Sequence, residues 1–175
     1  MSKGIIIFAQ NNEYINYAEQ ACACAGYARK NLSLFDEICL ITNTETLESN
    51  ETLINEYFDK VIVSDSFQPV NIRLFKDTTH ITEYASFKNM GRSEVYDLSP
   101  YDETLVIDAD YFIMNNVLDQ VWDSENDVMI NCKYRDVSGR HKENIEYLDN
   151  FSIPMYWATV FYFKKSDFAE NLFTL

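Results

Sequence analysis

The sequence predicts an α/β fold: a single Rossmann-like domain over residues 1–175, with a mainly parallel central sheet and helices on both faces. Three observations lead there. Short apolar runs rich in β-branched residues alternate with longer segments of helical periodicity. The runs are apolar at consecutive positions rather than at every second one, the mark of strands covered on both faces. The composition, 47% hydrophobic and 24% charged with only 4 glycines and 3 prolines in 175 residues, describes one globular unit with no linker to divide it.

The first run, Gly4-Ile5-Ile6-Ile7-Phe8-Ala9, belongs at a sheet centre. Tyr14, Ala18, Ala21, Ala25, Ala28 and Leu32 then recur at steps of four and three, a helical stripe of small residues capped by Asn11 or Asn12. Ile38 to Ile41 forms a second strand, Thr46 to Tyr57 a helix and Lys60 to Val63 a third strand. Helical crossovers between strands give parallel pairing, and ligands then sit at the carboxyl ends of the strands. A helical stretch is expected from Thr79 to Leu98, followed by a turn at Ser99-Pro100-Tyr101-Asp102 and a fourth strand, Thr104 to Asp108. Val128 to Asn131 and Thr159 to Phe163 read as the last two strands, and Lys133 to Ser152 as a helix-containing loop.

Charge narrows the partners. The chain carries 28 acidic against 14 basic side chains, a net charge of −14, which argues against nucleic acid and anionic membranes. The apolar run near the start is too short for a signal peptide or a spanning helix, so the cytoplasm is the expected location. Cys22, Cys24, Cys39 and Cys132 lie at no zinc-ligand spacing from His80 or His141 and read as reduced, mostly buried thiols. No glycine-rich phosphate loop and no nucleophile elbow occur, which removes support for dinucleotide oxidoreductases, P-loop NTPases and common hydrolases.

Asp108-Ala109-Asp110 stands at the end of the fourth strand. On an extended chain residues two apart share a face, which would set both carboxylates about 7 Å apart at the carboxyl end. A hard cation, Mn²⁺ or Mg²⁺, can bind carboxylate and phosphate oxygens together, so an acidic chain can hold a diphosphate through the metal. Lys88 and Arg92, four apart on the expected helix, would share a face and reach a phosphate. Gln10-Asn11-Asn12 and Tyr14 follow the first strand and offer amides and a ring to a nucleobase.

The segment from Phe87 to Asp110, in which Lys88 and Arg92 precede Leu98-Ser99-Pro100-Tyr101-Asp102 and an apolar strand ending in Asp-x-Asp, resembles the core of glycogenin-like glycosyltransferases (family 8 type) with the GT-A fold. Ile7-Phe8-Ala9-Gln10-Asn11 with Tyr14, and Asn116-Val117-Leu118-Asp119, are similar to the family's nucleotide loop and its follow-on motif. The resemblance implies a hexosyltransferase that moves a sugar from a nucleotide-diphosphate donor, usually a UDP-sugar, to a saccharide or protein acceptor. It implies Asp108 and Asp110 as metal ligands, with Asp108 also facing the ribose. It places Ala9, Gln10, Asn11, Tyr14 and Ala109 beside the donor and Lys88 and Arg92 on the diphosphate, and it assigns no catalytic base. Where the family has Asn-Ser-Gly this chain reads Tyr156-Trp157-Ala158-Thr159, and no histidine follows His141, so the acceptor-binding C-terminal part is expected to be missing. Two alternatives accompany this reading: a non-catalytic module that keeps the fold, and a nucleotidyltransferase, which uses a related sheet.

Overall fold

The computed structural model describes residues 1–65, 71–76, 82–87, 94–132, 147–148, 153–154 and 157–174; for 71–76, 82–87, 147–148, 153–154 and 157 the description is of the backbone alone. The helical reading of 79–98 is corrected. Thr82–Phe87 is a strand, β5, paired antiparallel with β4 (Asn71–Lys76), and among the described residues of that stretch α-helix is seen only in α3, Val95–Leu98. The extended form comes from pairing with a separate segment, from Lys76↔Thr82 to Asn71↔Phe87, which the periodicity within 79–98 does not contain. The loop expected over Lys133 to Ser152 lies outside the described residues except for β8, Tyr147–Leu148, which pairs with β9, Ile153–Pro154.

The main sheet comprises β1 (Lys3–Phe8), β2 (Glu37–Thr42), β3 (Lys60–Val63), β6 (Glu103–Asp108), β7 (Val128–Asn131) and β10 (Trp157–Lys164), in the spatial order β3-β2-β1-β6-β10-β7. β1 pairs parallel with β2 and β6, β2 pairs parallel with β3, and β10 runs antiparallel to both β6 and β7. The expected fold class is therefore observed, with one reversed strand in a mainly parallel sheet.

Strand periodicity sorts the core into two layers. Ile5, Ile7, Ile38, Leu40, Leu105, Ile107 and Tyr162 face α1 (Tyr17–Asn31) and α2 (Thr44–Tyr57). Ile6, Cys39, Ile41, Val106, Phe161 and Phe163 face α3 and α4 (Asp167–Phe173). Ala18, Ala21, Ala25 and Ala28 are fully buried, so the small-residue stripe does bring α1 close to the sheet; Tyr14 does not belong to it and stands exposed before the helix. On the opposite face the Phe173 ring lies 5.1 Å from Phe163 and 5.6 Å from Tyr96, which fastens α4 to the sheet.

The α1 cap is also corrected. Asn16, not Asn11 or Asn12, is the N-cap, and its side chain accepts from the Glu19 N–H at 3.3 Å. Asn12 first makes its own turn, its Oδ1 accepting from the Tyr14 and Ile15 amides at 2.9 and 2.8 Å, and the helix starts only beyond it. Among the described residues no helix is long and apolar enough to cross a membrane. The four cysteines are free thiols, three of them buried.

Gly4 sits under the ring of Tyr101, and a Cβ there would fall 2.1 Å from the ring. Tyr101 is itself 2% exposed and cannot swing away without opening the second core layer. Gly4→Ala should therefore destabilise the fold by at least about 2 kcal/mol by overpacking, read as a lowered denaturant midpoint at unchanged slope.

Candidate donor site at the carboxyl ends of β1 and β6

β1 leads through α1 to β2 on one side, while β6 pairs on its other side, so the order of strands reverses between β1 and β6. Such a reversal leaves a crevice at the carboxyl ends where the two following loops diverge. The register sets Phe8 beside Asp108, which brings the loop after β1 and the acidic motif, a hundred residues apart in sequence, to the two sides of that crevice.

The loop after β1 is built largely from its own polar groups. The Ala9 N–H donates to the Ile41 carbonyl at 3.0 Å, which holds Ala9 in the sheet. The Asn11 N–H donates to Thr46 Oγ1 at 2.9 Å and Asn11 Oδ1 accepts from the Ala18 N–H at 3.0 Å, so this side chain ties the loop to both α1 and α2. Asn16 Nδ2 adds a bond to Asn50 Oδ1 at 3.1 Å, at the kink in α2. Gln10 is 7% exposed and its Oε1 has no hydrogen-bond partner among the described residues. Tyr14 is 84% exposed and presents its ring to solvent beside the crevice.

Across the crevice the expectation for the acidic motif changes. The strand ends at Asp108, where pairing with β1 ends, and Ala109 and Asp110 form a turn closed by the Tyr111 N–H donating to the Asp108 carbonyl at 3.1 Å. The two carboxylates are therefore not on one face of an extended chain. Asp108 is half-buried and Asp110 exposed, and the charge of Asp110 reaches α1: after burial it is the second cause that raises Tyr17, and likewise Cys24, whose thiol is pushed up to about 12. At neutral pH that thiol is protonated and available as a donor. Tyr17, Gln20 and Cys24 recur at steps of three and four on a face of α1 adjacent to the alanine stripe, the one sequence signal that could have placed them near the motif.

Gln20, Ala23 and Cys24 of α1 and residues Ala109 to Phe112 enclose a groove of about 160 Å³. Among the described residues no group of three or more His, Cys, Asp or Glu side chains could hold a metal ion. Lys88 and Arg92 lie outside the described residues.

Asp119, in the follow-on motif, has a structural task. It lies in the first turn of a 3-10 helix, Val117–Asp123, is 6% exposed, and accepts from the Ser33 N–H at 3.1 Å, the Ser33 hydroxyl at 3.2 Å and the Leu34 N–H at 3.3 Å. It thus clamps the segment joining α1 to β2, and Asn31 Nδ2 reinforces this with a bond to the Ile113 carbonyl at 2.8 Å.

Solved structures share the fold. An active-site mutant of the galactosyltransferase LgtC superposes with a TM-score of 0.57 at 15% identity, covering 98% of this chain and 59% of that one. Mouse xyloside xylosyltransferase 1 gives 0.56 at 11% identity over 99% of this chain and 72% of its own. The CMP:2-keto-3-deoxy-manno-octonic acid synthetase in complex with CTP gives 0.50 at 8% identity over 100% and 83%. The chain thus spans 59% of the length of LgtC, and identities this low establish the fold alone. No family model matches the sequence, and no curated protein matches it.

Asp119→Ala leaves two part-buried backbone amides and a hydroxyl, those of Ser33 and Leu34, without their acceptor. It should cost about 2–3 kcal/mol, seen as a lower melting temperature by the same amount with and without a bound nucleotide.

Proposed function

We propose that this chain is the donor-binding part of a metal-dependent glycosyltransferase that moves a sugar from a nucleotide-diphosphate donor, a UDP-sugar, to a saccharide or protein acceptor. The observation that carries it is the register Phe8–Asp108, which gathers an amide-rich loop with an exposed tyrosine and a carboxylate turn at the strand-order reversal of a sheet shared with known glycosyltransferases. Fold likeness by itself also admits a nucleotidyltransferase, since the CMP-sugar synthetase shares the sheet. The loop after β1, Gln10-Asn11-Asn12-Glu13, lacks the glycine and basic residues that such an enzyme would use to hold a triphosphate.

Mn²⁺, or Mg²⁺, suits the donor set: two hard carboxylate ligands are what such a cation takes from a protein when substrate phosphates complete its shell. Asp108 and Asp110 would hold it. When bound, the ion would neutralise charge developing on the departing diphosphate. It would also relieve the repulsion between a diphosphate and a chain of net charge −14. Tyr14 would stack on the base, and the backbone of Ala9 and Gln10 would border the nucleoside. Lys88 and Arg92 are proposed to steady the diphosphate.

Thermal unfolding tests the proposal, with Mn²⁺ alone, Mn²⁺ plus UDP, and Mn²⁺ plus CTP, on the wild type and on Asp110→Asn. Nucleotide at a hundred times its dissociation constant adds about 2.7 kcal/mol, roughly 5–11 °C for a domain of this size. The expected result is a UDP-dependent rise over Mn²⁺ alone that Asp110→Asn abolishes. A rise with CTP alone would favour the nucleotidyltransferase, and none with either nucleotide would favour a fold-retaining module without donor binding.

A further inference from the structure

The turn that carries Asp110 borders α1 across a groove of about 160 Å³ lined by Ala109 to Phe112 on one side and Gln20, Ala23 and Cys24 on the other. Two hydrogen bonds converge there on one atom. The Asp108 carbonyl accepts from the Tyr111 N–H at 3.1 Å, which closes the turn, and from Cys24 Sγ at 3.7 Å, which ties the turn to α1. Cys24 is 2% exposed and lines the groove together with Ala109.

We propose that Cys24 is a positioning residue: its buried thiol, by donating to the Asp108 carbonyl across the groove, fixes the turn on which Asp110 is displayed toward the donor crevice. Cys22, two residues earlier on the same helix, is no substitute, because its thiol faces away and donates to the Leu53 carbonyl of α2 at 3.9 Å. The opposite bearings follow from a two-residue step on an α-helix, about 200°. A side chain at position 24 must therefore both fill a small buried space and donate a hydrogen bond. Cysteine does both, valine only the first, serine mainly the second and alanine neither.

The consequence for metal binding rests on the proposed donor site, whereas the consequence for the turn does not, so two readouts are needed. The first is amide hydrogen exchange at Tyr111, whose N–H closes the turn. The second is Mn²⁺ affinity in the presence of UDP, followed by the loss of the free-ion paramagnetic resonance signal. Both are measured on the wild type, Cys24→Ala, Cys24→Val and Cys24→Ser, each confirmed folded; valine keeps the buried volume while removing the donor. Losing one modest hydrogen bond should speed Tyr111 exchange about threefold to tenfold in the alanine and valine variants and weaken Mn²⁺ binding by a similar factor, with serine close to wild type. Exchange unchanged in all variants, or a ranking in which serine is as damaging as alanine while valine is harmless, would overturn the proposal and reduce Cys24 to packing. Wild-type protein that takes up neither Mn²⁺ nor UDP would sink the donor-site reading, and Tyr111 exchange would then decide the role of Cys24 alone.

Discussion

The structure depends on the parallel pairing of β1 with β2 on one edge and β6 on the other. β1 is buried on both faces: Ile5 and Ile7 meet the α1–α2 layer, and Ile6 meets the α3–α4 layer. A strand so placed must be apolar throughout, and where the Tyr101 ring crosses it no side chain fits, which is why position 4 is glycine. The same pairing reverses the strand order beside β1 and so creates the crevice. Folding and site formation are thus consequences of one arrangement, the first driven by apolar burial and the second by topology.

Polar residues near the crevice divide into those that build it and those left to face a ligand. Asn11, Asn12, Asn16, Thr46 and Asn50 spend their hydrogen-bonding groups on the loop and the helix starts. Asp119 spends its carboxylate on the α1–β2 connection. Tyr14 and Asp110 remain turned to solvent on opposite sides of the crevice.

The sequence carried the fold where structure is local and lost it where pairing is remote. β1, β2, β3, β6, β7 and the alanine face of α1 follow from apolar runs and from a step of three and four; the strand limits agree within a residue, while α1 starts three residues after Tyr14. Thr82–Phe87 was misread as helix because its extended form is imposed by β4, and nothing within the segment's own spacing announces that. The antiparallel course of β10 is equally silent in its residues. In the site, Asp108 and the loop after β1 were legible by position. The geometry of Asp110 was not, because extended alternation ends with the last pair to β1, and a two-residue spacing means something different in a turn. Cys24 escaped notice for a related reason: a small residue next to an alanine stripe reads as packing until its partner across the groove is known.

The proposed function requires a nucleotide diphosphate to bind across the carboxyl ends of β1 and β6, and a crystal structure of the protein with UDP and Mn²⁺ tests this. The ion is expected on Asp108 and Asp110, the diphosphate beside it and the base against the loop from Ala9 to Tyr14. A nucleotide bound elsewhere on the sheet, or an ion that ignores both carboxylates, would contradict it.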